Sequence, residues 1–290
     1  MVAEPLLTGG KCATTMGPGL PGLSDDELEI IFERLCRPLD PSPAVALSAA
    51  SRSMRAPVEA ALGRLRRRHE QAKALLAKAE LYIEGVLCPG SPSCTQALSA
   101  TGLHIDGLTV SEWEALGALA LVGEMPQLTL LVAGTHCSSD GIVHDNGVGV
   151  QRFLDALPAA ALPAVDFLNL SFTGMDEQGA ASFAAALGRG ALPKLGELIL
   201  SSNPIKDAGL AALAPQLRQR PAFFDLRLDK CQIGDDGLAA LVAPPYASVF
   251  PTLTFLDLRD NPFTDAGCAT FAGAIRGGAL PAIKESGVFA

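Results

Sequence analysis

The sequence predicts an α/β solenoid, in which strand-turn-helix units stack so that their strands form one curved parallel sheet on the concave face, preceded by an α-helical module. Three observations point there. One apolar pattern recurs at four places, 28 or 30 residues apart, which is the mark of a repeat architecture. Each copy is followed by apolar residues at helical spacing with a helix-start signal before them. The 290-residue chain is 49% hydrophobic but only 5% aromatic, with a single Trp, so its core must be built from small aliphatic side chains in repeated layers.

The four units begin at Val165, Leu195, Phe223 and Leu253. Positions 1, 4 and 6 are apolar: Val165/Leu168/Leu170, Leu195/Leu198/Leu200, Phe223/Leu226/Leu228 and Leu253/Leu256/Leu258. Positions 4 and 6 fall on one face of a short strand, and the ninth side chain (Thr173, Asn203, Cys231, Asn261) turns inward to bond backbone groups left open by the turn. Cys and Thr are weaker substitutes for Asn there. Four residues on, Glu177, Asp207, Asp235 and Asp265 are placed to cap the following helix. Gly179, Gly209, Gly237 and Gly267 come next, where the helix is expected to pack too closely on a strand for a side chain. Leu210, Leu213 and Leu217, then Leu238 and Leu241, then Phe271 and Ile275 supply the buried helix faces, and Ala-Leu-Pro (Ala191 to Pro193, Ala279 to Pro281) returns the chain to the next strand.

Two weaker units are expected before these, with a strand in Leu128 to Val132 and a helix around Val150 to Leu157. Leu103-His104-Ile105 with a helix from Ser111 to Val122 starts the stack. At the other end a strand is expected at Ile283, with Ser286 where Leu should stand. That leaves Leu256, Leu258 and Phe271 short of cover, so the last repeat is expected to fray or to pair with another copy.

Residues 165 to 283 resemble leucine-rich repeats of the ribonuclease-inhibitor subfamily. The resemblance implies a protein-interaction module rather than an enzyme, with strand residues between the buried leucines facing the concave side. Those positions are Phe167, Asn169 and Ser171; Glu197, Ile199 and Ser201; Asp225, Arg227 and Asp229; Phe255, Asp257 and Arg259. Phe, Ile and paired charges suit a protein partner.

Nearer the N-terminus, Leu23-Ser24-Asp25-Asp26-Glu27-Leu28 opens a helix with a capping box at Ser24 and Glu27 and an apolar stripe of Leu28, Ile31, Phe32 and Leu35. With the later Ala46 to Arg55 segment, this resembles an F-box, the helical module that docks a substrate receptor onto the Skp adaptor of cullin-based ubiquitin ligases. The resemblance implies adaptor binding through Leu23, Leu28, Ile31, Phe32 and Leu35. Ser24 stands where the family has Pro, and the Trp after its basic pair is absent.

The chain therefore divides into a disordered leader (1–22), the F-box-like module with a long linker helix from Pro57 to Leu87 (23–87), a hinge (88–97) and the solenoid (98–290). The formal charge is −9, and residues 88–290 hold twenty acids against eleven bases. That surface repels phosphate backbones and suits a basic protein face, so nucleic acid is not an expected partner. No apolar run reaches the ~20 residues that span a bilayer, and no signal peptide opens the chain. Seven irregularly spaced cysteines read as free thiols in a cytoplasmic or nuclear protein.

Other motifs yield no site. Gly17 to Gly22 fits G-x-G-x-x-G, but no strand precedes it and two prolines deny amides to a phosphate. Cys88 and Cys94 are wrongly spaced for a zinc knuckle. His136, Cys137, Asp140, His144 and Asp145 cluster in a loop of the kind where insertions accumulate, the Asn169-Leu170-Ser171 sequon has its Leu buried, and Arg64 to Arg68 reads as a solvated helix face. No metal, cofactor or catalytic residue is expected. Two classes of function remain: a substrate receptor of a ubiquitin ligase, or a scaffold or inhibitor whose N-terminal helices only cap the solenoid, with a GTPase regulator as a lesser alternative.

Overall fold

The computed structural model describes residues 37–50, 55–88, 93–134, 147–243, 249–283 and 285–286. The F-box-like residues Leu23, Leu28, Ile31, Phe32 and Leu35, the leader and the His136 to Asp145 cluster lie outside the described residues. Helix α1 (Ser42–Ala50) and helix α2 (Arg55–Lys78) are followed by a hairpin of strands β1 (Glu80–Ile83) and β2 (Val86–Leu87) and by the short helix α3 (Cys94–Ala97). Strand-helix units then succeed one another: β3 (Gly102–His104) with α4 (Val110–Val122), β4 (Leu130–Val132) with α5 (Val148–Ala156), β5 (Phe167–Asn169) with α6 (Glu177–Gly188), β6 (Glu197–Ile199) with α7 (Lys206–Leu217), β7 (Asp225–Arg227) with α8 (Asp235–Leu241), and β8 (Phe255–Asp257) with α9 (Asp265–Arg276). Strand β9 (Glu285–Ser286) closes the described chain.

All of these strands form one sheet in the order β2-β1-β3-β4-β5-β6-β7-β8-β9, antiparallel at β2-β1-β3 and parallel from β3 onward. Register keeps the fourth motif position in line: Leu103, Leu131, Leu168, Leu198, Leu226 and Leu256 pair in succession, and each is buried. Strands repeat every ~4.8 Å and packed helices every ~8 to 10 Å, so the stack must bend with its strands on the inside. That bend makes the outward strand positions a concave face.

The expected helix from Pro57 to Leu87 ends nine residues early, at Lys78. Leu81-Tyr82-Ile83 favours a strand, and Glu84 and Gly85 take φ of 52° and 81°, the doubly left-handed turn that suits a two-residue hairpin. Pairing of Leu81 with Leu103 buries Leu81 completely, and this contact distant in sequence overrides the heptad pattern. The described ends of the segment expected as a hinge are packed. Cys88 donates its amide to Leu81 O at 2.8 Å, and Ser93 and Gln96 form a capping box on α3, whose Ala97 is buried. Helix α2 lies against α4 with Ala72, Leu75 and Leu76 buried, so α2 and the hairpin cover the first layer. Before them, the Glu124 carboxylate accepts the Leu39 amide at 2.7 Å.

The ninth-position residues act as expected. Asn203 is fully buried; its Oδ1 accepts the amides of Thr173 and Met175 at 3.1 and 3.0 Å, and its Nδ2 donates to Leu170 O and Leu200 O at 2.8 and 2.9 Å. Asn261 repeats this one unit away from Asn203's own neighbour, binding the amides of Cys231 and Ile233 and the carbonyls of Leu228 and Leu258. Cys231 Sγ donates to Leu200 O at 3.2 Å and to Asp229 O at 3.5 Å, and burial pushes its thiol up to about 12.

The carboxylates expected as caps mostly do something else. Asp207 accepts the amide of Gly234, Asp235 accepts both the amide and the hydroxyl of Thr264, and Glu177 pairs with Lys206 at 3.1 Å. Each ties its own repeat to the next, while α6 and α9 are capped by Asp176 and Thr264. None of the four glycines is tight against a strand: Gly179 meets Met175, Gly209 meets Ile205 and Ala180, and Gly237 and Gly267 meet the linking carboxylates. A Cβ on Gly237 would stand 2.5 Å from Asp207 Oδ1, and one on Gly267 would overlap the Asp235 carboxylate. Leu256, Leu258 and Phe271 are fully buried, contrary to the expectation of poor cover. β9 pairs with β8 with Ser286 opposite Leu256, and the half-buried Phe263, Ile275 and Ile283 pack against the same core.

Candidate concave binding face

Outward positions of β5 to β8 bring the twelve residues expected on the concave face into adjacent rows. Phe167, Glu197, Asp225 and Phe255 form one row, and Asn169, Ile199, Arg227 and Asp257 the next. Ser171, Ser201, Asp229 and Arg259 follow the strand ends. The charged members are coupled. The Arg227 guanidinium bonds Asp225 at 3.0 and 3.2 Å, reaches Glu197 at 3.4 Å and lies 5.0 Å from the centroid of the Phe255 ring. Arg259 holds Asp257 through its Nε at 2.9 Å, and Ser201 donates to Asp229.

Three of the twelve are themselves buried: Ser171 at 7% exposure, Asp225 at 6% and Asp257 at 2%. The two carboxylates serve as supports that orient Arg227 and Arg259, which remain in reach of solvent. The electrostatics agree. Bonding to Arg259 holds the Asp257 carboxyl below the usual range, and the bond to Asp225 pushes Arg227 up. Burial, reinforced by the Asp225 charge, raises Glu197 despite Arg227, so that carboxyl ionises less readily than a free one.

Toward the N-terminal end the face turns apolar and hollow. A cavity of about 960 Å³ is lined by Leu130, Val132, Phe167 and Ile199, by Tyr82, Glu80, Glu84 and Gly85 of the hairpin, and by Thr101, Gly102, His104, Thr129 and Asn169. His104 stands 3.3 Å from both Glu80 and Asp106. Of the twelve expected residues, Phe167, Asn169 and Ile199 line this hollow; the others form or flank the charged half. Sequence reasoning missed the β1, β3 and β4 contributors. Leu130 and Val132 were within its reach, because they alternate with Leu131 in the same phase as Glu197 and Ile199 around Leu198. It also missed Phe224, 44% exposed, which covers Gly196 so closely that a Cβ there would sit 2.8 Å from its ring.

Among the described residues no group of three or more His, Cys, Asp or Glu could hold a metal ion, and no helix is long and apolar enough to cross a membrane. Compared with known proteins, residues 191–214, 225–242 and 251–272 match the family described as Leucine Rich repeat. A ribonuclease inhibitor from Sus scrofa is 30% identical over 126 residues, which is 43% of this chain and 26% of that protein, so the chain spans about a quarter of that relative's length. A crystal structure of an internalin from Listeria monocytogenes aligns with 76% of this chain and 94% of its own at 11% identity, with a TM-score of 0.17, too low to bear on the fold. The in-phase leucines, the inward Asn ladder, the parallel sheet and the matched segments together establish that this chain carries leucine-rich repeats stacked as a solenoid.

Proposed function

We propose that the chain is a non-enzymatic binding protein that holds a protein partner on its concave face. The observation that carries this reading is the continuous row of outward strand side chains, apolar over β4 to β6 and charged over β6 to β8, with Arg227 stacked on Phe255. Aromatic and Arg side chains supply much of the energy in protein interfaces. The excess of acids after residue 88 favours a partner with a basic face. The similar protein from Sus scrofa is by name an inhibitor, which supports a scaffold or inhibitor here by analogy. Four described cysteines are free thiols, in keeping with a cytoplasmic or nuclear setting. The test is retention of a partner purified from the native source. Arg227→Glu combined with Phe255→Ala should weaken binding about tenfold or more, ~1.4 kcal/mol or above, while Ala211→Lys on the exposed side of α7 should not. Equal retention by both variants would contradict the reading.

The finer reading is a substrate receptor whose Leu23, Leu28, Ile31, Phe32 and Leu35 dock a Skp-type adaptor. Its support is the sequence match at Leu23 to Leu35. Co-purification with adaptor should be lost in Leu28→Asp with Phe32→Asp; an adaptor that ignores the unaltered chain at micromolar concentration would leave the scaffold. Packing of α2 and the hairpin on the first layer supports that plainer alternative, in which the N-terminal elements serve as a cap.

A further inference from the structure

We infer that the hollow between the N-terminal hairpin and the first strands receives an extended segment of a protein partner in which a lysine or arginine adjoins a large apolar residue. This rests on the concave-face reading and specifies what its N-terminal half takes. The hairpin is not a repeat. It runs antiparallel to β3, and its turn at Glu84 and Gly85 joins Tyr82 in walling one side of a space whose floor is Leu130, Val132, Phe167 and Ile199.

Size and charge select the occupant. At about 960 Å³ the hollow is at the upper end of ordinary ligand sites and holds several side chains. Its lining comes from five neighbouring strands, β1, β3, β4, β5 and β6. Four strand spacings of ~4.8 Å make ~19 Å, the length of about six extended residues. The lining holds Glu80, with His104 3.3 Å away, and Glu84, and no Lys or Arg. Beyond Phe167, its register partner Glu197 adds a carboxylate that Arg227, itself bonded to Asp225, meets only at 3.4 Å. An apolar floor with acids at both ends repels an anionic ligand, and a purely apolar one would make no use of its acids. A Lys or Arg lays its aliphatic stem on such a floor and carries its charge to the acidic rim, and a neighbouring Leu or Phe covers the rest. A small free cation would leave the floor wet.

The experiment uses the full chain and a positional-scanning library of soluble eight-residue peptides, read by fluorescence polarisation. Selection should favour a basic residue beside a large apolar one. Binding of the selected peptide should weaken about tenfold, ~1.4 kcal/mol, in Glu84→Lys, a substitution on an exposed turn that does not threaten the fold, and again in Leu130→Ser, with unchanged melting curves as the control. Ala211→Lys should bind as the parent does. Selection of acidic or charge-free peptides, binding of lysine or arginine amide as strong as any peptide, or no peptide bound at millimolar concentration would each overturn the inference. If a native partner is still held through Arg227 and Phe255 in that event, the concave-face reading stands without it. If neither half binds, both readings fall.

Discussion

The C-terminal repeats and the N-terminal layers are held together by different means. From β5 to β8, successive layers are joined by side chains that bond a neighbouring layer's backbone: Asn203 and Asn261 that of the preceding layer, inside the turn, and Asp207 and Asp235 that of the following layer, from the first turn of their helices. Arg189 and Arg220 also reach carbonyls at the ends of preceding helices, at Leu157 and Leu187, where helices leave acceptors unpaired. Before β5 no ninth-position Asn is present. Tilted packing of Trp113 on Phe153, 5.4 Å between ring centroids, the clasp of α2 and the Glu124 bond to Leu39 take its place. The Asn part of the ladder is local and holds no titratable group, whereas the N-terminal joint includes one buried carboxylate.

The largest effect should come from the ladder. Asn203→Ala strands the amides of Thr173 and Met175 in the core, while Leu170 O and Leu200 O keep the Thr173 hydroxyl and the Cys231 thiol; each unpaired amide costs about 1 to 3 kcal/mol, so a loss of about 2 to 6 kcal/mol is expected in denaturant unfolding. Asn169→Ala, which removes one bond from a half-buried side chain, should cost below about 1 kcal/mol. Similar losses at the two sites would erase the distinction between ladder and surface Asn. Leu131→Ala and Leu198→Ala, in turn, should cost alike, about 2 to 5 kcal/mol, because both are fully buried at the same motif position.

Next comes the pH dependence of the N-terminal joint. Burial raises the Glu124 carboxyl to about 7 from its ordinary 4.5, partly offset by the Leu39 amide and by Arg37. The folded state thus holds this proton more tightly than the unfolded one. Its contribution is fully present below pH 4.5, declines as pH rises, and is lost above about 7. The difference is on the order of 3 kcal/mol, and Glu124→Gln should flatten it. Melting from pH 5 to 8 checks this: equal pH dependence of the Gln variant and the parent would place the titration elsewhere.

The smallest expected effect is a gain. Cys231→Asn puts a strong acceptor and two donors where a thiol bonds weakly, and should stabilise the C-terminal stack by about 1 kcal/mol. No rise in melting temperature would mean that the surrounding core has no room for the amide.

The same contrast explains what was legible in the sequence. Leu168, Leu198, Leu226 and Leu256 were readable because four copies repeat one local pattern, and the inward Asn residues because their role is set by position within a copy. The hairpin was hidden, since Leu81 to Ile83 becomes a strand only by pairing with β3, a contact between segments of unlike sequence. Asp207 and Asp235 were placed in the right helix turn but given the wrong partner, because spacing fixes which turn a carboxylate occupies and not which neighbour offers it an amide. Of the concave face, the charged half was named residue by residue. Of the apolar hollow only Phe167, Asn169 and Ile199 were, because its wall is the hairpin and the rest of its floor draws on the less regular β4.

The central claim, that the concave side is where a protein partner sits, is tested most directly by site-specific photo-crosslinking in the native setting, with the photoreactive residue at Ile199, at Arg227 or at Ala211 on the outer helical side. The account predicts one shared protein adduct from positions 199 and 227 and none from 211. Adducts from 211 alone, or the same adduct from all three positions, would contradict it.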